Sequence, residues 1–173
     1  MTTASLAAAA GLSVFVGTMI YAAIADLVTM RIRNHVPALL VIAYAGSAPA
    51  AGLPLSGVAT SVLAALAVLV AGFLCFCRGW IGGGDAKLAS AATLWLGSDQ
   101  ALPFLAVAAV AGGILTLFLV SFRLVPLQPH LGGIRWLRQL HEEQAGVPYG
   151  LALATGSLLL VPQTRWMELI QYQ

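Results

Sequence analysis

The stretch LAAAAGLSVFVGTMIYAAIAD, residues 6–26, decides the fold, because a long run without any charged side chain ends in an aspartate. A helix needs about 20 mainly apolar residues to cross the hydrocarbon core of a bilayer. The run from Leu6 to Ala25 therefore predicts a first membrane span, with Asp26 at its end. A removable signal peptide is the alternative, since residues 23–25 (Ala-Ile-Ala) resemble a cleavage site. Against it, the basic n-region is missing and the apolar run is too long.

The composition of the whole chain agrees with a membrane protein. Of its 173 residues, 60% are hydrophobic and only 8% are charged, whereas a soluble domain usually carries about 25% charged residues. Disordered chains are polar, so disorder is excluded as well. Nucleic-acid binding is not expected, because the sequence has no basic patch with interleaved aromatic residues.

Five further apolar stretches predict an all-α, polytopic membrane helix bundle with about six transmembrane helices, forming a single membrane-embedded domain over residues 1–173. They are Val36–Ala51, Gly57–Cys77, a helix starting near Ile81, Ala101–Phe122 and Pro148–Val161. The fourth is unusual, because the uncharged run between Lys87 and Asp99 covers only about 16 Å of helix. To cross a bilayer, this helix must carry Asp85 and Lys87 in its first turns.

The positions of the basic residues predict the orientation of the bundle. With six crossings, seven of the eight Lys and Arg residues fall on one side and only Arg165 on the other. The seven are Arg31, Arg33, Arg78, Lys87, Arg123, Arg135 and Arg138. Because cytoplasmic loops are enriched in Lys and Arg, we expect the loops after spans one, three and five in the cytoplasm and both termini outside.

The longest cytoplasmic loop contains a pattern typical of a helix that lies on the membrane surface. Apolar residues recur every three positions, with charged residues between them. They are Leu131, Ile134, Leu137 and Leu140. The polar segment after the sixth span is predicted to be a short tail that contains Glu168.

Only two of the six acidic residues fall at membrane depth, where an acid is costly and usually functional. Asp26 ends span one and Asp85 opens span four, both on the predicted cytoplasmic side. The other four fall in polar loops, an outer turn or the tail: Asp99, Glu142, Glu143 and Glu168. Spans one and four run in opposite directions, so packing side by side would bring Asp26 and Asp85 together.

Two carboxyl groups about 3 Å apart share one proton, as in aspartic proteases. Such a pair takes a proton from a bound water and donates one to the scissile carbonyl. A serine or threonine nucleophile is less suitable, because all three histidines fall in loop regions: His35, His130 and His141. No metal is expected, since Cys75 and Cys77 alone cannot complete a zinc site.

Three glycines precede Asp85, although glycine is a poor helix former and costs roughly 1 kcal/mol relative to alanine. Gly82, Gly83 and Gly84 would allow another backbone or a substrate to come close and would let the Asp85 segment move. Lys87 follows Asp85 by two positions, which on a helix directs it away from the Asp85 face. We interpret Lys87 as an anchor to lipid headgroups.

Three segments together resemble the type IV prepilin peptidases. Residues 26–34, DLVTMRIRN, are similar to the first motif of that family, and residues 82–87, GGGDAK, match its second motif, GxGDxK. Residues 147–150, VPYG, resemble the start of the family's last span. One position departs from the family pattern, because the usual I-P-N of the first motif is here Ile32-Arg33-Asn34.

The resemblance implies a membrane aspartic protease that cuts the leader peptide from prepilins at the cytoplasmic face of the bacterial inner membrane. It assigns Asp26 and Asp85 as the catalytic pair, and Gly82, Gly84, Lys87 and Asn34 as supporting motif residues. No cofactor is implied. The expected partners are prepilins, the lipid bilayer and components of pilus assembly.

The chain resembles the compact members of the family that serve Flp-type pilins in tight-adherence systems. Larger members carry an N-terminal cytoplasmic domain with four zinc-binding cysteines and also methylate the new N-terminus. We expect a peptidase without that domain here. Two alternatives stay open. One is a non-catalytic transporter or assembly scaffold that uses the acids as a proton or cation site, and the other is a relative of the presenilin-type GxGD proteases.

Overall fold

The regular structure of the described residues consists of helices, and no strand occurs among them. The computed structural model describes residues 2–126, 133–142 and 146–171. The helices are α1 Thr3–Thr29, α2 His35–Ala50, α3 Leu55–Cys77, α4 Gly83–Leu96, α5 Ser98–Leu124, α6 Arg135–His141, α7 Tyr149–Leu160 and α8 Arg165–Gln171, with a 3₁₀ turn at Val161–Gln163. The predicted all-α class is therefore confirmed.

The helices have the lengths and composition of a membrane helix bundle. Among the residues described, α1, α3 and α5 are each long and apolar enough to cross a membrane, and α2 and α7 are shorter apolar helices. Each of the six predicted spans corresponds to one helix, with α4 as the fourth. Helix α4 has only 14 residues, or about 21 Å.

Helix α4 lies in the interior of the bundle. It packs against α2, α3, α5 and α7, and its residues from Leu88 to Leu96 are all buried. Small residues bring α3 close: a Cβ atom on Gly72 would lie 2.9 Å from the Ala86 Cβ, and Ser90 Oγ donates a hydrogen bond to the Ala65 carbonyl at 2.7 Å. Its surroundings are thus mostly protein, which explains how so short a helix is accommodated.

Two helix starts differ from the prediction. Helix α4 begins at Gly83 rather than near Ile81, because Gly82 is extended, with φ −72° and ψ 143°. Asp99 lies in the first turn of α5 rather than in a turn before it, since Gly97 alone reverses the chain at φ 88°. The predicted surface helix is present as α6. Its first expected apolar position, Leu131, lies outside the described residues, as do His130 and Glu143.

The short tail after the sixth span contains a helix that was not predicted, α8, which folds back onto the bundle. Trp166 of α8 is 2% exposed, and its Nε1 donates a hydrogen bond to the Trp95 carbonyl at 2.9 Å. Trp95 Nε1 in turn donates to the Leu40 carbonyl of α2 at 2.9 Å. With Phe15 of α1 and Tyr44 of α2, these rings form an aromatic cluster whose centroids lie 4.8–5.8 Å apart.

We expect Trp166→Ala to lower the free energy of unfolding by about 3–5 kcal/mol, as for other buried aromatic residues replaced by alanine. The substitution empties a packed position and removes the hydrogen bond to Trp95. Thermal unfolding followed by circular dichroism in detergent would measure the effect. Trp136→Ala is the matched control, because Trp136 is 38% exposed and should cost much less. Equal losses from the two substitutions would contradict the packing role of Trp166.

Candidate active site

Asp26 lies in the last turn of α1, on the face that packs into the bundle. The residue is 5% exposed. Helix α1 ends three residues later, at Thr29. The next residue, Met30, adopts a left-handed conformation at φ 52° and donates its N–H to the Asp26 carbonyl at 2.7 Å. The side chain of Asp26 accepts a 2.7 Å hydrogen bond from the backbone N–H of Gly150. The start of α7 therefore holds this carboxyl group in place.

Gly150 suits this contact for two reasons. The N–H groups in the first turn of a helix have no partner within the helix and favour a negative charge. A side chain here would also collide, because a Cβ atom on Gly150 would lie 2.9 Å from Asp26 Oδ2 and 3.0 Å from Ile32 Cδ1. No chemical role for Gly150 was predicted from the sequence. The sequence feature that could have indicated this contact is the position of Gly150 just after Pro148, in the first turn of a helix.

Asp85 is the third residue of α4 and is half-buried. Its carboxyl group interacts with the backbone amide of Gly82 and, through space, with the charge of Asp26. The two carboxyl groups therefore come from different helices, α1 and α4, and meet at the same end of the bundle.

A single cavity of about 490 Å³ is lined by both aspartates. Its other lining residues belong to the two motifs: Met30, Arg31, Ile32, Arg33, Asn34, Gly82 and Gly84. Of the six residues singled out from the sequence, five thus line one cavity. Lys87 does not line it.

The first and third glycines of the GGGD segment lie where an added side chain would crowd its neighbours. A Cβ atom on Gly82 would lie 2.6 Å from Asp85 Oδ2, and one on Gly84 would lie 3.0 Å from both the Cβ and the carbonyl oxygen of Ile32. A Cβ atom on Gly83 would make an ordinary contact, 3.4 Å from the Phe76 ring. None of the three has a positive φ. Close approach, and not backbone conformation, therefore explains the GxG pattern.

Lys87 connects α4 to the loop between α1 and α2. Its side chain is exposed, and Nζ donates a 2.9 Å hydrogen bond to Asn34 Oδ1. Within the described ranges, the ion pair found is Arg165–Asp99, at 3.7 Å, so Lys87 is not ion-paired with Asp85. The interpretation of Lys87 as an anchor to lipid headgroups stays a prediction. The sequence did not suggest Asn34 as its partner.

A second cavity, of about 650 Å³, adjoins Asp85 on its other side. Tyr149, Trp80 and Thr116 line it together with Asp85. Tyr149 packs over Gly112 of α5, where any Cβ atom would collide with the tyrosine ring. Asp85 thus lies between two openings, and the sequence alone had not singled out Tyr149.

A metal site is not formed by the part of the chain that the structure describes, since no three His, Cys, Asp or Glu side chains cluster there. Cys75 and Cys77 are free thiols. The chemistry available at the cavity is that of two adjacent carboxyl groups with access to water. Such a pair can activate water by general acid–base catalysis.

Comparison with known proteins gives one match. A family model described as the type IV leader peptidase family matches residues 13–117, more than half of the chain. The matched segment contains both aspartates and the three glycines, and it ends before α7. No curated protein and no solved structure matches the chain.

Proposed function

The chain belongs to the type IV leader peptidase family, and from this premise we propose that Asp26 and Asp85 are its catalytic pair. As a leader peptidase the protein is a membrane-bound protease, and its substrates are prepilins. In our proposal it cleaves the leader peptide of Flp-like prepilins with a water held between the two aspartates. The observation that carries the proposal is the single cavity that both carboxyl groups line.

The mechanism that we propose needs no covalent intermediate. The two carboxyl groups share one proton and act as a unit. The ionised member removes a proton from the water as the water attacks the scissile carbonyl, and the protonated member donates its proton to the carbonyl oxygen. The C–N bond then breaks as the first carboxyl group passes its new proton to the leaving nitrogen and the second takes a proton back from a hydroxyl group of the tetrahedral intermediate, which restores the starting pair. The hydrogen bond from Gly150 to Asp26 supports this role, because it holds one carboxyl group in position before substrate binds.

We also propose that residues 1–173 form one multi-pass domain in the bacterial inner membrane, with the catalytic cavity on the cytoplasmic side. The support is the distribution of charge, since Arg31 and Arg33 line the cavity and Arg78 follows the adjacent end of α3. Positive residues accumulate on the cytoplasmic side of membrane proteins. Six crossings then place both termini outside.

Labelling of single cysteines tests this orientation. In a Cys75→Ser, Cys77→Ser background, we expect Asp99→Cys to react with a membrane-impermeant maleimide in intact spheroplasts. Arg31→Cys should react only after the membrane is opened. Both positions are exposed, so access and not burial decides the result. Labelling of both positions from one side would contradict the proposed orientation.

Cleavage in a defined membrane tests the function itself. The purified chain would be reconstituted in phospholipid liposomes with a full-length Flp-like prepilin, and the product's new N-terminus would be identified by mass spectrometry. We expect one cut at the leader junction that persists in the presence of a metal chelator. A panel that includes a transmembrane helix without a leader separates this activity from that of presenilin-type proteases. Cleavage of that helix and not of prepilin would overturn the proposal.

A further inference from the structure

The separation of the two proposed catalytic carboxyl groups does not come from direct packing between the helices that carry them. Asp26 is on α1 and Asp85 is on α4, but α4 packs mainly against α2, α3, α5 and α7. The two carboxyl groups nevertheless line one cavity. Contacts that reach the surroundings of both groups therefore have to keep them together, and residues 30–34, which join α1 to α2, make such contacts.

The segment 30–34 is fixed at both of its ends. At its start, Met30 donates its backbone N–H to the carbonyl oxygen of Asp26 at 2.7 Å. At its end, Asn34 Oδ1 accepts a 2.9 Å hydrogen bond from Nζ of Lys87, which lies near the start of α4. The segment thus connects the end of α1 with the part of α4 that carries the second carboxyl group.

Ile32 lies between these two fixed ends and is close to the backbone beside each carboxyl group. A Cβ atom on Gly84, the residue before Asp85, would lie 3.0 Å from the Ile32 Cβ atom. A Cβ atom on Gly150, whose N–H is hydrogen-bonded to Asp26, would lie 3.0 Å from Ile32 Cδ1. The base of the Ile32 side chain is therefore against α4, and its tip is against α7.

The surroundings of Ile32 suit a rigid spacer between these two helix starts. Its side chain is half-buried, packs against the apolar core and lines the cavity that contains the aspartates. A β-branched side chain has few accessible rotamers. Because glycine faces Ile32 on both sides, the distance between the starts of α4 and α7 depends on the size of this one side chain.

We propose that Ile32 is a positioning residue that sets the separation of the Asp26 and Asp85 carboxyl groups. The inference rests on the proposed function of the cavity. Ile32 carries no polar group and takes no part in proton transfer. Its contacts fix the start of α4 relative to the start of α7, and these two helix starts position the two carboxyl groups. The hydrogen bond between Lys87 and Asn34 holds the spacer in place.

Shortening the Ile32 side chain tests the inference. Ile32→Val removes Cδ1, the atom that faces Gly150, and Ile32→Ala removes the side chain beyond Cβ. We expect Ile32→Ala to lower kcat for prepilin cleavage about 10²-fold, the loss that a displacement of about 1 Å causes, and Ile32→Val to have a smaller effect. KM should stay within about twofold of the wild-type value. Ile32→Leu should keep kcat within about threefold, because substitutions that conserve volume are tolerated best.

Ile170→Ala is the matched control for Ile32→Ala. Ile170 is also half-buried and packed against the core, but it lies on α8, which contacts the opposite end of α4 through Trp166. The two alanine variants should lower the melting temperature similarly, and only Ile32→Ala should lower kcat. An equal loss of kcat in both would show general loosening, and a loss in KM alone would show that Ile32 binds substrate. Either result would overturn the inference.

The hydrogen bond between Lys87 and Asn34 has a test of its own. Both side chains are exposed, so Lys87→Met and Asn34→Ala should fold normally. We expect each to lower kcat about two- to tenfold, the range that corresponds to one hydrogen bond. The double variant should lose no more than either single variant, because both changes remove the same contact. Losses that multiply would show that the two residues act independently, and the holding role of this pair would be refuted.

Chemical crosslinking measures the separation without turnover. In a background with both native cysteines replaced by serine, Asp26→Cys and Asp85→Cys would be bridged with bis-thiosulfonate reagents of increasing length. We expect Ile32→Ala to move the best reagent to a greater length and Ile170→Ala to leave it unchanged. The same best length with and without Ile32→Ala would overturn the inference. A changed length without any prepilin cleavage by the wild-type chain would support the spacer and refute the proposed function.

Discussion

Asp26→Asn and Asp85→Asn should each reduce the rate of leader cleavage at least about 10³-fold, since general acid–base catalysis alone contributes about 10²–10⁴-fold and either change dismantles the whole pair. An amide can neither share the proton nor take one from water. Co-expression of each variant with a prepilin in membranes, followed by separation of precursor and mature pilin, measures the loss. Single-turnover assays with purified protein would give the size of the effect.

Asp99→Asn is the matched control for both substitutions. Asp99 lies at the opposite end of α4 from Asp85, its side chain is 76% exposed, and its ion pair with Arg165 is on the surface. Exposed ion pairs contribute about 0–1 kcal/mol, so this variant should fold and cleave normally. Full processing by either Asp26→Asn or Asp85→Asn, at wild-type protein levels, would refute the catalytic pair.

Gly82→Ala should lower kcat about 10²-fold, the loss that a displacement of about 1 Å causes in an active site. The added methyl group would lie 2.6 Å from Asp85 Oδ2, so the carboxyl group has to move. Gly83→Ala is the control one residue away. Its methyl group has room, and alanine in place of glycine favours the helix by up to about 1 kcal/mol.

The pair of glycine variants separates activity from stability. We expect Gly82→Ala to lose activity while remaining folded, and Gly83→Ala to keep activity and melt at a slightly higher temperature. Cleavage assays and thermal melts on the same preparations would measure both quantities. If Gly83→Ala lost as much activity as Gly82→Ala, flexibility of the segment, and not space beside Asp85, would explain the glycines.

Most of the fold could be predicted because each membrane helix needs a long apolar run. The charged residues between two such runs mark where one helix ends and the next begins. The runs that became α1, α3 and α5 were predicted to within a few residues at either end. Helix α8 was missed because a seven-residue helix is too short to show a clear helical period, although four of its residues are apolar. Its role depends on one tryptophan, Trp166, and on a ring stack that forms only when distant helices meet.

The candidate site was predictable to the extent that topology alone brings residues together. Placing Asp26 and Asp85 at the same end of the bundle required only the order and direction of the spans. The expected side-by-side packing of spans one and four is not found, because α4 packs mainly against α2, α3, α5 and α7. The hydrogen bond from Gly150 depends on the packing of α7 against α1, and the Lys87–Asn34 contact depends on side-chain conformation. No periodic pattern in the sequence predicts either contact.

Family membership also decides between a peptidase and a non-catalytic transporter or scaffold, the two functions that a pair of buried acids could serve. A transporter or scaffold could use a pair of acids as a cation site, but the chain belongs to a peptidase family. Arg33 is the position at which the sequence departs from the I-P-N pattern of the resemblance. Arg33 lines the cavity together with Arg31, so this chain presents positive charge to an incoming substrate.

The aromatic cluster restricts how the catalytic carboxyl groups can move relative to each other. At the C-terminal end of α4, Trp95 packs against residues of α1, α2 and α8. The N-terminal end of α4 begins with glycines and carries Asp85. Sliding of α4 along its axis would pull Trp95 out of the ring stack and break its hydrogen bond to Leu40. Helix α4 is therefore held both at its far end and along its length, where Leu88 to Leu96 are buried, so the packing of the whole helix sets the position of Asp85 relative to Asp26.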